Sequence, residues 1–131
     1  MTLLLAAHGT RDPAGPTTIE SLASAVRERL PGVRVAVAYA DVRPPDIATA
    51  LASPPFPPGE SPVPVVVPAF LAAGYHVHVD IPEQIRRSGR PAILTPPLGP
   101  SLAPVAHERL VEAGWRRGDP VVLAAAGSAD P

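Results

Sequence analysis

The sequence predicts an α/β domain in three layers, a four-stranded parallel sheet between helices, with flavodoxin-like topology. Two features point there. The runs Leu3-Leu4-Leu5-Ala6-Ala7 and Val63-Pro64-Val65-Val66-Val67 are apolar at nearly every position, the pattern of strands buried on both faces. Strand-like and helix-like segments also alternate four times within 131 residues, a length that suits one hydrophobic core.

The elements follow in order. Leu3 to Ala7 is the first strand, and His8-Gly9-Thr10-Arg11-Asp12-Pro13 after it is a turn-rich loop. Thr17-Thr18-Ile19-Glu20 has the form of a capping box, and Ile19, Leu22, Ala23, Val26 and Leu30 recur at helical spacing until Pro31-Gly32. Val33 to Tyr39 is the second strand, with Asp41 and Arg43 beyond its end. Pro44-Pro45 can open a short helix with Ile47, Ala48 and Leu51 on its apolar face. The proline-rich stretch Ser53 to Pro62 is expected to be an extended surface connection, Phe56 either tacked onto the body or exposed. Val63 to Val67 is the third strand. Asp80 reads as the cap of a helix, with Pro82 in its first turn and Ser88-Gly89 as its stop. Ala92-Ile93-Leu94 is a fourth strand, and a last helix spans about 102–113 with Leu102, Val105, Ala106, Leu110 and Ala113 on one side.

Composition narrows the function classes. Eleven basic and 12 acidic side chains give a formal charge of -1, which is no electrostatic footprint for nucleic acid or an anionic membrane. No apolar run approaches the roughly 20 residues of a membrane span, and the N-terminus lacks a basic region and cleavage site. The expected setting is soluble and cytoplasmic. The absence of cysteine removes disulfides, thiolate metal sites and cysteine nucleophiles together, so any metal ligand is histidine or oxygen.

The end of the chain echoes its beginning. Val121 to Pro131 aligns with Leu3 to Pro13 at an offset of 118, and six of the eleven pairs are identical. A repeat of domain length implies one α/β domain at 1–117 and the start of a second, truncated repeat at 118–131, in which Ala126 stands where the first copy has His8.

In an open parallel sheet, ligands collect beyond the carboxyl ends of the strands. His8 follows the first strand directly, and His76 follows the third after a small-residue loop, so two imidazoles are expected at one rim. The segments Ala7-His8-Gly9-Thr10-Arg11-Asp12 and Val67-Pro68-Ala69-Phe70-Leu71-Ala72-Ala73-Gly74-Tyr75-His76-Val77-His78-Val79-Asp80-Ile81-Pro82 closely resemble the sirohydrochlorin chelatases, which insert cobalt or ferrous iron into a tetrapyrrole on the cobalamin and sirohaem pathways. The resemblance runs through Ala113. It implies a chelatase-like fold, a cleft completed by a second domain or a homodimer partner, and metal binding by His8 and His76. It implies no permanently bound cofactor, since the divalent ion (Fe2+ or Co2+) is a substrate beside the tetrapyrrole. Where family members commonly carry a glutamate after the second strand, this chain has Asp41.

The chemistry agrees with that resemblance. Insertion needs ligands that release a first-row ion and a base for two departing pyrrole protons, and neutral imidazole suits both tasks. Two ligands leave most of the coordination sphere open, whereas a closed four-ligand site would retain the metal. The carboxylates of the substrate could meet loop amides at Gly9, Thr10 and Gly74 and the side chains of Arg11 or Arg43, with Tyr75 beside His76. His78, two residues on, is expected to turn away, His107 reads as a solvated helix residue, and Asp80 as a cap rather than a catalyst. Two alternatives stand beside the chelatase. A metal-binding or metal-delivery module would use the same histidines without turnover. A phosphatase-like hydrolase would also place His-Gly after a first strand, but with an arginine directly before the histidine, where this chain has Ala7.

Overall fold

A strand with aliphatic side chains on both faces is stable only between two apolar layers, and the first strand occupies that position. The computed structural model describes residues 1–56 and 63–124. Within them run β1 (Thr2–Ala7), α1 (Ala14–Arg29), β2 (Arg34–Tyr39), α2 (Ile47–Ala52), β3 (Val65–Pro68), a π-helical turn (His76–Asp80) continuous with α3 (Ile81–Arg87), β4 (Ile93–Leu94), and a 3₁₀ turn (Gly99–Leu102) leading into α4 (Ala103–Glu112). The strands are all parallel in the order β2-β1-β3-β4, which is the flavodoxin-like order without its fifth strand. The three-layer α/β/α expectation therefore holds.

Register divides the side chains between the layers. Leu3 lies opposite Val35 and Leu5 opposite Val37, and this face packs on Ala23 and Val26 of α1. The other face carries Leu4, Ala6, Ala38, Ala40 and Val66 against Ile47 and Leu51 of α2 and Ile81 of α3. Its alanines leave room for the large side chains of those two helices. Phe56 is 2% exposed and joins this second core. Of the two places expected for Phe56, the structure takes the one on the body, so the connection begins with a buried anchor, a burial contributing about 1.5–3 kcal/mol. Arg90 closes over it, its guanidinium donating to the carbonyls of Leu51 and Phe56. The rest of the proline-rich stretch, 57–62, lies outside the described residues.

Several local expectations change. The capping box at Thr17 does not form, because α1 begins three residues earlier. Asp12 Oδ1 accepts the Ala14 amide at 2.9 Å there, while Glu20 pairs with Arg27 at 3.5 Å. Pro44-Pro45, joined by a cis bond, precedes α2 rather than opening it, and Asp46 caps the helix by accepting the Thr49 amide at 2.7 Å. Asp80 is no cap, since its backbone is already helical inside the continuous π-turn and α3. The last helix forms where its spacing predicts, but none of its residues is buried, and Val105 and Val111 are exposed. Ile93 on β4 is also exposed. No helix is long and apolar enough to cross a membrane among the described residues.

Candidate metal centre

The last carbonyls of β1 are shared between its two neighbours. Ala6 O accepts the Ala69 amide at 2.8 Å on the β3 side, while Ala7 O and His8 O accept the amides of Ala40 at 2.7 Å and Asp41 at 3.0 Å on the β2 side. His8 thus leaves the sheet with its main chain fixed. Gly9 then turns at φ +90°, and a Cβ there would lie 2.0 Å from Asp41 O, so both conformation and space require glycine. Asp41 O in turn accepts the Arg43 amide at 2.8 Å, and Val42 between them has φ +67°. A β-branched residue in the left-handed region is strained by about 1–3 kcal/mol. The surroundings hold it there. Asp41 Oδ1 accepts the Val42 amide at 2.7 Å, and Arg43 Nε donates to Thr10 O at 2.5 Å, lacing the loop after β2 to the loop after β1.

Behind this strained turn the buried side chain of Gln84 sets the end of β2. Its Nε2 donates to Ala40 O at 2.7 Å, and its Oε1 accepts the Ile47 amide at 2.8 Å, joining α3, α2 and the strand end. An open cavity of about 550 Å³ lies alongside, lined by Asp41, Val42, Arg43, Pro45, Asp46 and Thr49. Hydrogen bonds from Thr49, with the Arg87 guanidinium 2.6 Å away, hold the Asp46 carboxyl below its ordinary range against a smaller opposing effect of burial.

The second loop reaches the same rim from β3. Gly74 O accepts the amides of Val77 at 2.9 Å and His78 at 3.1 Å, which starts the helical turn and aims His76 back over the sheet end. The two imidazoles meet with ring centroids 4.4 Å apart and planes at 81°. Phe70 lies 6.0 Å from the His8 ring and 6.4 Å from that of His76, and Tyr75 lies 6.3 Å from His76. His8 Nδ1 lies 2.9 Å from Gly9 O, and His76 Nδ1 lies 2.5 Å from Asp80 Oδ2. A carbonyl oxygen and a carboxylate have no proton to give, so in both rings Nδ1 is the donor. In the neutral rings each Nε2 then carries a lone pair, and among the described residues neither has a hydrogen-bond partner. Two imidazoles so held could each offer Nε2 to a metal ion, their far nitrogens being already engaged.

Among the described residues no group of three or more His, Asp or Glu side chains is gathered as a metal site. Asp41 is next to His8 in the hydrogen-bond lattice, but its carboxylate turns onto its own loop. His78, two residues on in the same π-helical turn, is exposed, and His107 lies on α4 against Trp115, 5.8 Å between centroids. Thr10 Oγ1 accepts the Asp12 amide at 3.1 Å, while Arg11 is exposed and Arg43 is half-buried. Two residues at the site escaped the sequence reading. Asp80 was taken for a cap, though its spacing of four from His76 on one helix is the signal that could have paired them. Phe70 gives no comparable signal, because its place beside the two rings is set by the fold of the loop.

A family model described as CbiX matches residues 2–113. The chain belongs to the CbiX family. A crystal structure from Marinobacter aquaeolei VT8, of a proposed cobalamin (vitamin B12) biosynthesis CbiX protein, is 29% identical with a TM-score of 0.67, covering 86% of this chain and 95% of that one. No curated protein matches the sequence. The CbiX match spans both histidine loops and all four strands, so the resemblance carried by those loops and the fold beneath them agree.

Proposed function

We propose that this CbiX-family chain is a sirohydrochlorin chelatase, inserting Fe2+ or Co2+ into a metal-free tetrapyrrole for sirohaem or cobalamin biosynthesis. The observation that carries the reading is the pair of imidazoles 4.4 Å apart at the sheet rim, each with Nε2 uncommitted. Two nitrogen donors bind a first-row divalent ion, and the remaining positions are open to water and then to pyrrole nitrogens. Each step of insertion exchanges a protein or water ligand for a pyrrole nitrogen, and two protons leave the macrocycle as the dication enters. An imidazole freed of the metal is a base placed to take one of them.

Arg43 has its Nε tied to Thr10 O, so its two terminal amino groups are held on a fixed stem at the rim, suited to a carboxylate arm of the substrate. Arg11, the amides of Gly9 and Thr10, Gly74 and the exposed ring of Tyr75 are further contacts in this reading. The apolar walls from Phe70 and Tyr75 suit the flat macrocycle. A phosphatase reading gains no support, since Ala7 holds the position that would need an arginine and is buried in the strand.

The unburied α4, exposed Ile93 and exposed residues 121–124 support a second domain, or a second copy of the chain, as the other wall of the cleft. Residues 125–131, the remainder of the terminal echo, lie outside those described. Anaerobic absorbance spectra of sirohydrochlorin with Fe2+ or Co2+, with and without protein, test the activity. Accelerated insertion is expected. Tight metal binding without acceleration would instead make the chain a delivery module.

A further inference from the structure

The two imidazoles are alike in presenting Nε2 and unlike in what supports them. His8 leans on the carbonyl of Gly9, a neutral acceptor one residue along its own loop. His76 leans on the carboxylate of Asp80 at 2.5 Å, a bond that is part-buried, with the two side chains 28% and 27% exposed. The pair lies on a π-helical turn in which the Ile81 amide bonds to His76 O, and such turns are frequent at functional sites. We propose that Asp80 is a positioning residue that fixes His76 in its Nδ1–H tautomer and makes it the retaining ligand, leaving His8 as the ligand that yields to the incoming macrocycle.

The argument is geometric. A free neutral imidazole favours the other tautomer, in which Nε2 carries the hydrogen and cannot bind a metal. A full negative charge at hydrogen-bond distance from Nδ1 reverses that preference and orients the ring, while a carbonyl does so more weakly. The charge also strengthens electron donation from Nε2. Insertion benefits from this inequality, because one ligand must keep the ion in place while another departs. The inference rests on His8 and His76 being the metal ligands.

Uniformly 15N-labelled protein and Co2+, with no tetrapyrrole, provide the test. In the wild type, His76 is expected to show the long-range pattern of a ring protonated at Nδ1, and Co2+ to perturb the resonances of both rings. Asp80→Ala should move His76 toward the Nε2–H tautomer and weaken Co2+ binding by about 10–100-fold. Asp80→Asn, which keeps the shape and an acceptor but not the charge, should fall between the two and guards against a folding defect in the alanine variant. His76→Ala should cost more Co2+ affinity than His8→Ala. Unchanged tautomer and Co2+ affinity in both Asp80 variants would overturn the inference while leaving the chelatase reading intact. Failure of Co2+ to perturb either ring in the wild type would overturn both.

Discussion

The two loops that bring the histidines together reach the same rim by opposite means. In the loop after β1, His8 follows the strand at once, and the main chain around it is bonded to the loop after β2 through Asp41, Thr10 and Arg43. The loop after β3 runs from Ala69 to Tyr75 before His76, includes the exposed Leu71, and gains order from the helix it enters. One histidine is placed by backbone and the other by a side chain. Precision at a rim can thus come from a lattice of amides or from one charged partner, and the two kinds of support should respond differently to mutation.

Loss of either histidine is the largest expected effect if both hold the metal as proposed. His8→Ala and His76→Ala should each lower Co2+ affinity by more than about 100-fold, exceeding the usual cost of losing an outer partner, while the melting transition moves little. Calorimetric titration and circular dichroism would measure the two, and retention of affinity by either variant would break the view that both loops supply a ligand. Gly9→Ala attacks the backbone-built loop alone. The added methyl meets Asp41 O and strains the φ of +90°, so thermal unfolding should register a loss of roughly 2–4 kcal/mol, with metal affinity falling as His8 shifts. An alanine tolerated there would mean that this loop is as adaptable as the other.

Arg43→Met sharpens the comparison by cutting a single bond between the loops. Removal of the donor to Thr10 O should cost about 1–2 kcal/mol in denaturant unfolding and leave the His76–Asp80 pair untouched. Asp46→Ala is the smallest, about 1 kcal/mol for the lost cap of α2. Its effect should depend on pH. The carboxyl is held below its ordinary value of 3.8 in the folded state, so the unfolded chain binds its proton first. The contribution is therefore complete above that value and fades as pH falls through the lowered one, and the difference between Asp46→Ala and wild type should shrink there. A difference that persisted unchanged into strong acid would point to packing instead of charge.

Much of this was readable before any coordinates. The consecutive apolar residues of Leu3 to Ala7 can be satisfied only between two layers, and the alternation of strand and helix leaves a parallel sheet as the short-connection solution. That placed His8 and His76 at the strand ends, where the structure has them 4.4 Å apart between ring centroids. What the pattern could not give was where α1 begins: Thr17 reads as its cap, yet the helix starts at Ala14, after a turn in which the Asp12 side chain accepts the Ala14 amide. Phe56 in a proline-rich stretch carries no periodicity, so its burial depends on a gap that α2 and β2 leave for it.

The sequence by itself determined the layer order, the strands and the identity of the two imidazoles, because these follow from local periodicity and from residue chemistry that no fold alters. Only the tertiary structure decided which oxygen each Nδ1 engages, the strained turn at Val42, the stitching by Gln84 and the absence of burial along α4. The stitching by Gln84 and the exposure of α4 depend on segments far apart in the chain, and the Nδ1 partners and the Val42 turn, though only one to four residues away, depend on a local backbone path that periodicity does not specify. Amphipathic spacing says that a helix has a face to bury, and says nothing of whether another surface is there to meet it.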